Sequence, residues 1–278
     1  MPGTESQSPW PDLSDSGRNL HPDAPDGGTG PGFSRPPGPV SGLTLTADSP
    51  AAAFASQDIS RPSAEDQHAG TRKAIIAAIR AKGASFVERR DWAARPVDTS
   101  KMTPDWNYSS IAIHHAGRSF SCGPIGMAAL QMQEIQSEQM SRIKAEDIGY
   151  HFALDCNGIV YEGRDIRFKG ENVRAHNSRL IGIVLLENLT DPPEGGDAIA
   201  KVRTLLDKVG VGDRPIVPTR QGEVLRSLIG VLRKYFSIGV LGGHREFPDQ
   251  AAEGKICPGN VGIALVEQLR KETGLAAP

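Results

Sequence analysis

Apolar positions change their period several times along the chain, and each change predicts an element. Ile75, Ile76 and Ile79 share one face of a helix that begins near Thr71 and stops at Gly83. A short alternating run, SSIAIHHAG, sets Ile111 and Ile113 on one side of a strand that ends in two histidines. Helical spacing returns over 126–143 through Ala128, Met132, Ile135 and Ile143, interrupted at Gln139. IGYHFALDCNGIVYEGRD then reads as a hairpin, two apolar runs about a turn in which Asn157 and Gly158 favour positive φ. LIGIVLLEN is nearly continuous in apolar residues, as a buried central strand requires. The most regular helix carries Val224, Leu225, Leu228, Ile229, Leu232, Tyr235 and Phe236, with Thr219 as its expected cap. IGVLGGHRE gives one more strand, ending at His244, and Asn260 is the expected cap of a last helix through Val261, Leu265, Val266 and Leu269. Strands alternating with helices predict an α/β domain with a mixed central β-sheet flanked by helices.

Composition restricts that domain to part of the chain. Residues 1–40 hold nine Pro and seven Gly. Such a stretch buries too little apolar surface to offset the entropy of ordering it. Residues 1–68 therefore read as a disordered Pro/Gly-rich N-terminal arm, and 69–278 as the domain. A breaker cluster, TDPPEGGD, opens an insertion at about 191–218, in which Ile199, Val202, Leu205, Leu206 and Val209 suggest a short helix over 197–209.

Residues 1–70 carry a net charge of -6 against -2 for the whole chain, which leaves the body at +4. A mildly basic body suits an anionic polymer such as a cell wall without requiring one. No Lys/Arg run points to nucleic acid. No stretch is long and apolar enough for membrane insertion. The first residues lack the basic and apolar regions of a Sec signal peptide, so the expectation is a chain made in the cytoplasm. Three cysteines do not make a disulfide framework. Cys122 is expected to be a free loop thiol and Cys156 a turn residue.

Candidate chemistry gathers where strands end. His114 and His115 close one apolar run and His244 closes another, at a sheet edge where side chains converge on a cleft. Cys257 follows His244 by thirteen residues. Two histidines and one cysteine suit zinc, and three protein ligands leave a fourth position for water. Taken alone, the same residues also fit ordinary packing.

Five segments in order resemble the type-2 N-acetylmuramoyl-L-alanine amidase and peptidoglycan-recognition-protein (PGRP) family over roughly 86–273, apart from 191–218. RRDWAARP is similar to an Arg-x-x-Trp-x-Ala segment through Arg89, Trp92 and Ala94. IAIHHAG resembles the first zinc strand, DIGYHFALDCNGIVYEGRD the hairpin, AHNSRLIGIVLLEN the next strand, and LGGHRE with KICPG the segment of the last two ligands. The resemblance implies an amidase/PGRP-like fold and a Zn²⁺ cofactor on His114, His244 and Cys257. His115 is then a packing or supporting group. Tyr150 takes the family's catalytic tyrosine position, and Lys255 matches the catalytic lysine of the phage lysozyme-type amidases. His176 and Asn177 become substrate contacts for sugar or peptide.

The implied reaction is hydrolysis of the amide bond between N-acetylmuramic acid and L-alanine in bacterial peptidoglycan. The alternative is a recognition module that binds peptidoglycan without turnover. Members that only bind characteristically lose zinc ligands, and all three are present here. A thiol hydrolase centred on Cys257 is a weaker alternative. Three departures stand out: Val184 occupies a position held by Glu in some relatives, FPDQAAEG lengthens the spacing between His244 and Cys257, and the AHN segment is short. The substrate lies outside the cytoplasmic membrane. Delivery is therefore expected through phage lysis, as an endolysin, or through contact-dependent secretion, as an antibacterial effector with an immunity protein or a secretion component as partner. Recycling of soluble muropeptides in the cytoplasm is a third route.

His151 is expected to be a satisfied core histidine, Arg164 a support for the hairpin, and Trp92 a packing anchor. Trp106 suits either packing or a ligand platform.

Overall fold

The computed structural model describes residues 63–117, 125–191 and 215–278. The chain divides into two units, Met1–Ile59 and Ser60–Pro278, and every described residue lies in the second. The expectations for the N-terminal arm up to residue 62, for Cys122 and for a helix over 197–209 fall outside the described residues.

Helix α1 (Ala64–Ala81) starts before Thr71 because Ser63 caps it. Ser63 Oγ accepts from Asp66 N at 3.1 Å and Asp66 Oδ2 accepts from Ser63 N at 3.2 Å, a reciprocal capping box. Ile75, Ile76 and Ile79 are its buried face, as their spacing predicts. Strand β1 (Phe86–Val87) leads into the loop of Trp92, which is 1% exposed and donates from Nε1 to Glu162 O at 2.7 Å. Strand β2 (Ser110–His115) and helix α2 (Ile125–Arg142) follow, then the hairpin β3 (Phe152–Leu154) and β4 (Val160–Glu162). Strand β5 (Leu180–Leu185) precedes helix α3 (Thr219–Tyr235), strand β6 (Val240–Gly243) and helix α4 (Gly259–Thr273).

The sheet runs β1-β4-β3-β5-β2-β6. Its one antiparallel pair is the β3/β4 hairpin, and the others are parallel. The hairpin turn is set by Asp155, whose Oδ1 accepts from Asn157 N at 3.0 Å and Ile159 N at 2.8 Å. Positive φ falls on Gly158 and not on Asn157, because this Asp-centred turn needs only one left-handed residue. Cys156 sits in this turn, as expected, and is also disulfide-bonded; Cys257 is free. Two expected caps also move. Pro218 precedes α3 and Pro258 precedes α4, so Thr219 and Asn260 lie inside the first turns. Proline brings no N–H that needs a partner at a helix start. Asn260 instead accepts from Arg245 Nη2 at 2.7 Å.

Period-two alternation gives the sheet two different faces. Ile111, Ile113, Ile181, Ile183 and Leu185 pack under α1, α3 and α4 in the main core. On the opposite face, Ala153 and Val184 pack with Ala128 and Met132 of α2, while Ala112 packs with Val173, Leu180 and Phe247. His114 belongs to that second face.

Candidate metal centre

The parallel register of β2 and β6 pairs Ile113 with Gly243. The next residue of each chain segment is His114 and His244, so the two imidazoles arrive side by side, with ring centroids 4.6 Å apart. The turn that His244 opens is pinned by Glu246, which accepts from Gly243 N at 2.7 Å and pairs with Arg270 of α4 at 2.8 Å. Cys257 arrives from the loop before α4. Its Sγ lies 3.6 Å from His114 Nδ1 and 3.9 Å from His115 O. One ligand atom from each of His114, His244 and Cys257 lies within 4.8 Å of the others.

The donor set fits zinc: two imidazole nitrogens and one sulfur, with a coordination position left open. Burial drives the His114 imidazole well below the usual histidine range, and the neighbouring His244 adds to the effect. Burial lowers His244 as well, and Lys255 adds to it. Both rings are therefore neutral at neutral pH, as metal ligands must be. Burial pushes the Cys257 thiol up to about 12. A divalent cation beside it reverses that preference, since a coordinating thiol is deprotonated.

Tyr150 stands over the same centre, its ring 4.8 Å from that of His114. Burial and the nearby Cys257 raise its pKa, so the phenol keeps its proton. Lys255 is exposed, with its backbone N–H donating to Gln250 O at 3.1 Å, and its charge bears on both His244 and Cys257. His115 faces away: its Nδ1 accepts from Leu189 N at 3.1 Å. The structure does not bring His176 and Asn177 into this cluster. His176 lines a cavity of about 340 Å³ with Ser110, Val240 and Phe247, toward the strand ends opposite His114. Asn177 Oδ1 accepts from the backbone of Asn172 and Val173, at 2.8 Å each.

Sequence reasoning missed two residues here. Asn172 Oδ1 lies 3.1 Å from His114 Nε2, and Gln250 Oε1 lies 3.1 Å from His244 Nε2. Neither belongs to a spacing motif. The available signal was an amide side chain in each of two loops, GENV between β4 and β5 and FPDQAAEG after β6.

Fold and centre together define a class: an α/β domain whose parallel strand ends gather two histidines, with a cysteine from the following loop, around a possible mononuclear metal site. No family model matches the chain. Peptidoglycan-recognition protein SD of Drosophila melanogaster is 28% identical over 156 residues, 52% of this chain and 83% of that protein. The Drosophila PGRP-SD crystal structure shares the fold, with a TM-score of 0.52 at 23% identity over 66% of this chain and 94% of its own. An N-acetylmuramoyl-L-alanine amidase of Sus scrofa is 31% identical over 121 residues, 43% of this chain and 20% of that protein. Human PGRP-IBETAC in complex with glycosamyl muramyl pentapeptide gives a TM-score of 0.50 at 20% identity, over 66% of this chain and 94% of its own. The chain spans less than two thirds of the length of most of the curated relatives it matches. In sequence and fold it is similar to the type-2 amidases and peptidoglycan-recognition proteins.

Proposed function

We propose that the chain is a zinc-dependent N-acetylmuramoyl-L-alanine amidase that hydrolyses the bond between N-acetylmuramic acid and L-alanine in bacterial peptidoglycan. The observation that carries this reading is the complete His114, His244 and Cys257 set, with ligand atoms within 4.8 Å of one another. The matched Sus scrofa protein is an amidase by name, and the human relative holds a muramyl peptide.

A zinc ion held there supplies Lewis acidity toward an amide carbonyl and a water-derived nucleophile at neutral pH. Addition of water to the carbonyl carbon places negative charge on its oxygen. Tyr150, with a protonated phenol beside His114, donates a hydrogen bond to that oxygen. Lys255 adds a positive charge from the rim. Loss of one such donor typically lowers the rate by roughly 10²–10³. The C–N bond then breaks, the amine of L-alanine leaves with a proton, and the lactyl carboxylate stays on the sugar. His176, outside the centre, is proposed as a contact for the remoter part of the substrate; Asn177 acts through the loop it ties.

Peptidoglycan lies outside the cytoplasmic membrane, so this reading includes a route across it, by lysis or by contact-dependent secretion. Among the described residues, no helix is long and apolar enough to cross a membrane.

The test is digestion of isolated sacculi by the zinc-loaded protein, with products read by mass spectrometry. Free peptides beginning at L-alanine, with intact glycan strands, are expected. Retained sacculus binding with no released peptide would leave a recognition module instead.

A further inference from the structure

We infer that Asn172 and Gln250 form a hydrogen-bonded yoke that keeps the proton of each ligating histidine on Nε2 and so turns both Nδ1 atoms toward one cation. The inference rests on the zinc reading above and concerns how this chain prepares its own ligands.

Both amides are oriented by bonds on their far side. Asn172 Nδ2 donates to Gly149 O at 3.0 Å, which leaves Oδ1 facing His114 Nε2 at 3.1 Å. Gln250 Nε2 donates to Arg174 O at 3.2 Å and Pro248 O at 3.1 Å, which leaves Oε1 facing His244 Nε2 at 3.1 Å. A carbonyl oxygen carries no hydrogen, so each ring nitrogen opposite must donate. A neutral imidazole has one N–H, and with that proton on Nε2 the lone pair lies on Nδ1. His114 Nδ1 is the atom 3.6 Å from Cys257 Sγ.

The two supports are joined. Gln250 grips the carbonyl of Arg174, in the loop whose amides at Asn172 and Val173 are tied by Asn177. Two glycines keep room for Asn172. A Cβ on Gly182 would come within 2.5 Å of Asn172 Cγ, and one on Gly170 within 2.5 Å of its Nδ2. Asn172 is 9% exposed and Gln250 1%, so water is poorly placed to replace either amide. The added segment between His244 and Cys257 thus acquires a purpose: it delivers Gln250 to His244.

Partners of this kind typically change metal affinity 10–100-fold. The experiment measures zinc affinity by chelator competition, and histidine tautomers by long-range ¹H–¹⁵N spectra of the metal-free protein. Gln250→Met and Asn172→Leu are expected to lose roughly 10–100-fold in affinity, each with a mixed tautomer at the histidine it serves. Gln250→Glu and Asn172→Asp retain the acceptor oxygen and are expected to stay within a few-fold of wild type at pH 8. His151 reports the fold in the same spectra. If either apolar variant disturbs its signals, Gln250→Ala and Asn172→Ala take their place.

Wild-type affinity with unchanged tautomers in the apolar variants overturns the yoke and leaves the amidase reading intact. A wild-type protein that binds no zinc removes the amidase reading. The metal-free spectra then decide the yoke by themselves, since they require Nε2–H at both rings in the wild type and not in the variants.

Discussion

His114 and His151 are both fully buried, and burial lowers the pKa of each. They nevertheless do opposite things. At His151 both ring nitrogens are used within the protein: Nδ1 accepts from Gly182 N at 3.1 Å and Nε2 donates to Phe168 O at 2.9 Å, with Tyr108 Oη 3.2 Å away. At His114 Nε2 meets the Asn172 amide, while Nδ1 meets the Cys257 sulfur at 3.6 Å, inside the group that also includes His244. Burial and a depressed pKa therefore do not separate a structural histidine from a candidate ligand; what separates them is a ring nitrogen that faces a cysteine and a second histidine instead of the backbone. Gly182 lies between the two regions, since its N–H serves His151 and its missing side chain admits the Asn172 amide that serves His114.

Substitutions at the two histidines break this comparison most sharply. His114→Ala is expected to take bound zinc from about one per chain to near zero and to abolish peptide release, while the fold is kept. His151→Ala is expected to keep the zinc but to lower stability by about 3 kcal/mol in a denaturant titration, through unpaired buried groups. Tyr150→Phe separates chemistry from binding: peptide release falls roughly 10²–10³ with zinc content unchanged.

Acid gives a second division. The folded-state pKa of His151 is lowered to about 4. For a base depressed in this way, its share of stability is complete above the unfolded value near 6.5 and is lost as pH falls from there toward 4. The loss is on the order of 3 kcal/mol for His151. His114 and His244 shift in the same direction in the metal-free protein. Melting curves from pH 7.5 to 4.5 should show a shallower acid loss in His151→Gln than in wild type. Gly182→Ala is the smallest of the set. Its methyl group would press on Asn172, with a stability loss of about 1–3 kcal/mol and weaker zinc binding by chelator competition.

Most of the frame was legible in the sequence because it rests on periodicity. Ile111 and Ile113 against Ala112 and His114 announce a two-faced strand, and the Leu180–Leu185 run is buried along its whole length. The two candidate ligand histidines were visible because both follow such runs directly. The supporting amides were not, since Asn172 and Gln250 come from loops whose spacing carries no period and whose geometry depends on carbonyls far away in sequence. The caps at Thr219 and Asn260 misled for a related reason. Each is a good capping residue one or two positions after a proline that already takes the N-cap position. His176 and Asn177 were legible as polar residues before a central strand, but not which end of the sheet, or which loop amide, each would face.

The central claim is that two imidazoles and one thiolate of this chain hold a single zinc ion with a position to spare. Zinc X-ray absorption on the loaded protein tests it most directly. The account predicts one sulfur at about 2.3 Å and three light atoms near 2.0–2.1 Å, two of them imidazole nitrogens. A shell of four sulfurs, or one with no sulfur at all, would contradict it.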